Sequence, residues 1–266
     1  VLSSCLDREP ITMPRFHWDS SDPLLCTETV FGTGDVLRTG AAAGPGSLEE
    51  QWESGQAQKN PQGPSQFDPF RLVQGSQGSI GIVTWITMKC EMLPDHHSIY
   101  LAGADCLNDL LDFNYTVLRR RLADGHFILN RINFTAALGA DKKLPNWILV
   151  LGISGHGMIA DDEFEYRLGD IMDIAKETGV KLGNKIGRIT GHDVQSKLNN
   201  LNHDVYWKLQ VKGECREIFF TTTLNRCQEF YDALLNVADE VEFPHNQIGA
   251  YVQPTIQGTN PDFTSH

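Results

Sequence analysis

No two of the six cysteines, Cys5, Cys26, Cys90, Cys106, Cys215 and Cys227, stand in a C-x-x-C pair. This spacing argues against a structural zinc site and a dense disulfide framework, and leaves the reduced thiols of a cytoplasmic protein as the plain reading. The longest apolar stretch, around Trp147 to Ile153, is far too short to cross a bilayer. Basic residues do not cluster beyond Arg119 to Arg121, and a net charge of −12 would repel a phosphate backbone. Neither a membrane nor a nucleic acid is expected as a partner. His96-His97 and the scattered His17, His126, His192, His203 and His245 have no H-E-x-x-H or comparable spacing, so no metal site is expected. No signal-peptide pattern opens the chain, and the sequons at Asn114 and Asn133, which matter only in a secreted protein, read as chance.

The 266 residues, 41% hydrophobic and 21% charged, have a globular composition and length enough for two ordinary domains. "LLCTETVFGTGDVLRTGAA" alternates apolar and polar residues on both sides of Gly32-Thr33-Gly34-Asp35, which predicts a hairpin. Ala41 to Asp68 is rich in Gly, Pro, Gln and Ser, with Trp52 and Phe67 as aromatic anchors, and reads as a long irregular connection. Ile82 to Met92 alternates cleanly as a strand. After Pro94 the spacing predicts a strand over 98–103, a helix through "CLNDLLDFNYTVLRRRL", a buried strand in "NWILVLGISG" and an amphipathic helix closing at Gly179. Strands in "VYWKLQVKG" and "REIFFTTT", a third helix in "LNRCQEFYDALLNVADEV" and a last strand in "IGAYVQPTI" complete an α+β pattern, an antiparallel sheet with helices on one face.

"RLVQGSQGSIGIVTW", Arg71 to Trp85, carries the first candidate site. Phosphate-binding glycine loops open a helix, whose N-terminal amides hold the anion; this one opens a strand and misses both the G-x-G-x-x-G and the P-loop spacing. Two readings stay open: a plain structural turn, or a backbone left bare for close approach by a base or ribose beside Ile82 and Val83. "GISGHG", Gly152 to Gly157, departs from the nucleophile elbow because His156 stands where the second glycine belongs, so a hydrolase using Ser154 and His156 is disfavoured against a strand-ending loop. Asp19 and Asp22 precede the first hairpin strand, where a carboxylate could act as a base or Asp22 could open a turn with Pro23. Glu217 reads as a solvated strand residue.

In order along the chain, "DVLRTGAAAGPGS", the aromatic-anchored loop and "GSQGSIGIVTWITMKCEMLP" resemble the vanillyl-alcohol oxidase and p-cresol methylhydroxylase flavoproteins, which carry a PCMH-type FAD-binding domain. "KGECREIFFTTTL" and "IGAYVQPTIQG" resemble later segments of that family's substrate domain. The resemblance implies that residues 1–94 form the second half of the FAD domain and residues 95–266 an α+β substrate domain. It also implies that Gly75, Ser76, Gly78, Ser79, Gly81, Ile82 and Val83 lie against the adenosine part of FAD. Asp19 is the nearest match to the acid that acts beside the flavin, with Asp22 the candidate under a looser alignment. Glu217 falls near the place where some members carry a flavin-linking histidine, which implies noncovalent FAD. The implied activity is oxidation of an alcohol or 4-alkylphenol-like small molecule; homo-oligomerisation is left open.

The chain opens at Val1 without an initiating Met, the family's pyrophosphate loop would lie upstream, and the tyrosine- and arginine-bearing segment of its oxidases would lie beyond His266. It therefore reads as a fragment, and the rival expectation is a truncated, non-enzymatic α+β module that does not retain FAD.

Overall fold

The structure is a computed structural model that describes residues 5–6, 13–14, 23–43, 46–55, 69–139, 143–200, 216–255 and 262–265. The chain divides into two compact units, Val1–Ile11 with Ser21–Met92, and Thr12–Ser20 with Leu93–His266.

The first unit is built on a three-stranded antiparallel sheet. β1 (Leu24–Phe31) and β2 (Val36–Arg38) form the expected hairpin, closed by Gly34 at φ 88°, a conformation that only glycine takes without strain. The connection after β2 contains a short helix, α1 (Leu48–Glu53). It starts at a reciprocal capping box in which the Ser47 hydroxyl accepts from Glu50 N–H and the Glu50 carboxylate accepts from Ser47 N–H. β3 (Gly81–Met88) pairs with the other side of β1, giving the order β2-β1-β3.

The second unit holds a seven-stranded antiparallel sheet. Its elements are β4 (His96–Ala104), α2 (Leu111–Arg120), β5 (Gly125–Asn130), α3 (Arg131–Leu138), β6 (Trp147–Gly155), α4 (Ala160–Thr178), β7 (Leu182–Gly183), β8 (Lys185–Ile186), β9 (Ile189–Thr190), α5 (Gly191–Asn199), β10 (Ile218–Thr221), α6 (Cys227–Glu240), β11 (Ala250–Gln253) and β12 (Asp262–Ser265). The order in the sheet is β10-β12-β11-β5-β6-β4-β7, and β8 and β9 form a separate hairpin.

Helices cover both faces of this sheet, not one as the sequence pattern suggests. Trp147, Leu149, Leu151 and Ile153 of β6 pack with Phe113 of α2, Phe164 and Ile171 of α4 and Cys227 of α6. The alternate residues Ile148 and Val150 pack with Phe134 of α3 and Val194 of α5. Every residue of β6 is therefore buried, which accounts for a continuous apolar run where a half-exposed strand would alternate. The strand expected in "VYWKLQVKG" lies outside the described residues.

Candidate functional site

The glycine turn of the first unit is an exposed loop feeding an edge strand. Gly75 (φ 68°), Gln77 (φ 50°) and Gly78 (φ 76°) all take the left-handed conformation, so the two glycines are there because the chain reverses there. The turn is stitched from within: Ser76 and Ser79 hydroxyls donate to the carbonyls of Val73 (2.8 Å) and Ser76 (2.7 Å), and Gly75 N–H donates to Leu6 O (2.7 Å). Gly81 has a different reason, since a methyl at its position would lie 2.7 Å from the Val30 carbonyl of β1.

Gly75, Gln77, Gly78, Ser79 and Ile80 are exposed, Ser76, Gly81 and Val83 are half-buried, and Ile82 is 73% exposed. Among the described residues β3 has a neighbour only on its β1 side. An exposed turn beside an open strand edge provides what close backbone approach by a flat, hydrogen-bonding ligand requires. Asp19 and Asp22, the two candidate bases, lie outside the described residues.

Sequence reasoning missed a polar group on the same sheet. Glu28 of β1 pairs with Trp85 and Thr29 with Val83, which makes Thr84 the extra residue of a β-bulge. The Thr84 hydroxyl donates to Glu28 Oε1 (2.7 Å), and Arg38 Nε of β2 donates to Glu28 Oε2 (2.8 Å). The Thr84 hydrogen bond first and the Arg38 guanidinium after it hold the Glu28 carboxyl below its ordinary value, against an opposing effect of burial. Arg38 also donates to the Gly46 carbonyl (2.7 Å), tying the Arg38-Thr39-Gly40 segment to the start of α1. Opposite charges at paired strand positions were the available signal; the bulge that brings in Thr84 had none.

In the second unit, polar side chains gather where β4 begins and β6 ends. Asp124 Oδ2 accepts from Ser154 N–H (3.1 Å) and from Arg167 Nη1 (3.0 Å), and Arg167 Nη2 pairs with Glu163 (2.6 Å). Glu163 in turn accepts from His156 N–H (2.9 Å), while Asp95 accepts from Gly157 N–H (2.7 Å). The His96 ring stacks on Phe164 at 3.9 Å and bonds Asp161 (2.7 Å). Burial lowers the pKa of His97, partly offset by a hydrogen bond with Gln195 and by the Asp124 charge.

Ser154 is a buried residue inside β6, opposite His97, and His156 is directed to Glu163. This is not the sharp strand-to-helix turn that exposes a nucleophile. Glu217 is exposed just ahead of β10. Among the described residues no three His, Cys, Asp or Glu side chains converge as metal ligands, and no helix is long and apolar enough to cross a membrane.

No family model matches the chain, and neither does any curated protein sequence. Solved structures do. Over 99% of its length the chain is similar to p-cresol methylhydroxylase with substrate bound (TM-score 0.67, 12% identity, 54% of that chain). It is equally similar over 99% of its length to 4-ethylphenol oxidase from Gulosibacter chungangensis in an isoeugenol complex (TM-score 0.68, 15% identity, 54% of that chain). Alkyldihydroxyacetonephosphate synthase matches over 98% (TM-score 0.62, 14% identity, 48% of that chain). The chain spans about half the length of these proteins and shares the fold of the part it matches.

Proposed function

We propose that the chain belongs to an FAD-dependent oxidoreductase acting on an alcohol or a 4-alkylphenol-like substrate. In this reading residues 1–94 supply the second half of a PCMH-type FAD-binding domain and residues 95–266 the substrate domain. The observation that carries it is the fold likeness, over nearly the whole chain, to two enzymes whose names denote para-alkylated phenols. The likeness to alkyldihydroxyacetonephosphate synthase supports the fold but not the phenol.

The exposed turn and the open β3 edge support the role given to Gly75, Ser76, Gly78, Ser79, Gly81, Ile82 and Val83, which would hold the adenosine end of FAD noncovalently. FAD, when bound, supplies the acceptor for the hydride that leaves the substrate carbon. The chain's own part is to position the substrate, exclude water from it and take up the proton of its hydroxyl group. Asp19 is the residue assigned to that proton, with Asp22 the alternative.

A second reading is favoured by the share of the neighbours that the chain spans, about half: an α+β module that does not itself retain FAD. Titrating FAD into the purified 266-residue chain and following flavin fluorescence separates the two. Saturable quenching is the expected result, and unchanged fluorescence at every protein concentration would leave the module reading standing. In protein that contains FAD, Asp19→Asn is expected to lower kcat for 4-alkylphenol oxidation at least about a hundredfold, and full activity in this variant would transfer the role to Asp22.

A further inference from the structure

The 19-residue helix α4 buries one side of itself, through Phe164, Ile171, Ile174 and Ala175. The opposite side is open along the length of the helix: Asp162, Glu165, Gly169, Asp173 and Lys176 are all exposed. Tyr166 (70% exposed) and Met172 (44%) stand at the margins of this stripe. Gly169 is out of place there. A glycine in a helix interior costs about 1 kcal/mol relative to alanine, and nothing within 4 Å would meet a methyl at this position, so no contact inside the chain requires the glycine. What it does provide is a low point on an exposed helix face, where the backbone of a second helix can come close.

Gly169 is also the midpoint of α4, with Asp162 seven positions before it and Lys176 seven after. Seven residues make nearly two turns, so both charges lie within about 20° of the Gly169 direction, one on each side of it. Neither has an ion-pair partner among the described residues. Turning the helix end for end about Gly169 exchanges the two positions, which is the self-complementarity that a two-fold interface needs. Two copies of α4 packed antiparallel would cross at Gly169, set Asp162 of each against Lys176 of the other at both ends, and line the seam with Tyr166 and Met172. Glu165 and Asp173 lie about 40° to either side, so in that arrangement these like charges fall on opposite flanks of the seam and do not face each other.

We infer that the exposed face of α4 is a docking surface for a second copy of this chain, in a two-fold antiparallel contact centred on Gly169 and oriented by Asp162 and Lys176. One helix face is smaller than a standard protein interface, so the contact is weak, with a Kd on the order of tens of micromolar. It is independent of the flavin reading, because no residue of α4 was assigned to FAD.

The test is sedimentation velocity of the full 266-residue chain over about 1–200 μM, a range that brackets such a Kd. The parent chain is expected to pass from monomer to dimer across it. Asp162→Lys and, separately, Lys176→Asp should each raise the dimer Kd at least about tenfold, since each sets like charges together at both ends of the seam. Both are surface changes, so the melting temperature of the monomer should stay within about 1 °C. Combining the two reversals in one chain should return the Kd to within about threefold of the parent value, because the pairs are then restored with their signs exchanged. A parent chain that stays monomeric throughout would leave this face to a different partner and overturn the proposal. A dimer indifferent to both single reversals, or a folded double variant that associates as poorly as the single ones, would overturn it too.

Discussion

Thr84, the extra residue in the β3 bulge, donates its hydroxyl to Glu28 of the neighbouring strand at 2.7 Å, leaving the second carboxylate oxygen to Arg38 at 2.8 Å. All three strands of the first unit's sheet are joined through this one carboxylate, and the bulged strand is the one that continues from the glycine turn. Glu28 therefore braces the bulge that follows Gly81 to Val83, while the ladder with β1 sets the register of those residues at the sheet edge.

Glu28→Gln is expected to cost about 1–2 kcal/mol, the range for removing a charge-assisted hydrogen-bond partner. The pH dependence has a definite sign. A carboxyl held below its ordinary value in the folded state contributes stability that is present above the usual 4.5 and is lost as pH falls through the folded value. Chemical denaturation at neutral and acid pH should show the parent chain losing this contribution and the Gln variant having none to lose; equal acid sensitivity would show that Glu28 is not held in this way.

Much of the fold was legible because local rules and packing agree. The 160–178 helix opens with Asp161, Asp162 and Glu163 and ends at Gly179 (φ 75°), so its charges, apolar face and stop signal point to one element. The same cannot be said of β5, α3 and α5. Gly125–Asn130 is too short and too apolar to show a period, and α3 has little contrast between its faces because it lies against the core. The α1 capping box, Ser47 with Glu50, was readable but sat inside a stretch dominated by Gly, Pro and Gln. In the candidate site the glycines of the turn were visible, but their separate causes were not. Left-handed φ at Gly75 and Gly78 is local, whereas Gly81 answers to a carbonyl fifty-one positions earlier, on Val30.

Two glycines near the polar cluster of the second unit should respond oppositely to the same change. At Gly155, the last residue of β6, an added methyl would collide with the Ala160 carbonyl at the start of α4. Gly155→Ala is expected to destabilise by about 2–3 kcal/mol, as overpacking does. Gly169 lies exposed within α4 with nothing near a new methyl, so Gly169→Ala should stabilise by about 1 kcal/mol through helix propensity. Thermal unfolding of both variants checks the pair, and a Gly155→Ala protein as stable as the parent would show that the β6–α4 junction is not closed as described.

His126 should set an acid limit on the second unit. Its ring is fully buried in β5, where Nε2 meets Asn114 Oδ1 at 2.6 Å. Because the Asn114 amide donates to Leu110 O, its oxygen faces the ring and Nε2 carries the proton. Nδ1 is then a buried lone pair with no hydrogen-bond partner among the described residues. Burial pushes the imidazole pKa down from 6.5 to about 3. Since the folded state keeps the neutral ring, stability is intact above 6.5 and falls by about 1.4 kcal/mol per pH unit as pH drops toward the folded value. His126→Gln should flatten the stability profile between pH 6 and 4, at some cost at neutral pH; an unchanged slope would remove His126 as its source.

Ile82 offers the cleanest test of the proposed cofactor role, because it separates binding from folding. It is 73% exposed at the start of the open edge strand, so a charge there meets water and leaves the β1–β3 ladder intact. Ile82→Glu is therefore expected to keep the melting temperature within about 1 °C, consistent with the small effect of surface substitutions. If the adenosine end of FAD lies along Gly75 to Val83, the same change replaces an apolar contact with a carboxylate beside an already anionic ligand. The FAD Kd, read from flavin fluorescence, should then rise at least about tenfold. Thr84→Ala makes the complementary control: it removes the Glu28 contact and should lower stability while changing FAD affinity little. A reversed pattern, with Ile82→Glu binding FAD like the parent chain and Thr84→Ala binding it poorly, would move the cofactor's contact from the strand edge to the Glu28 face of the sheet.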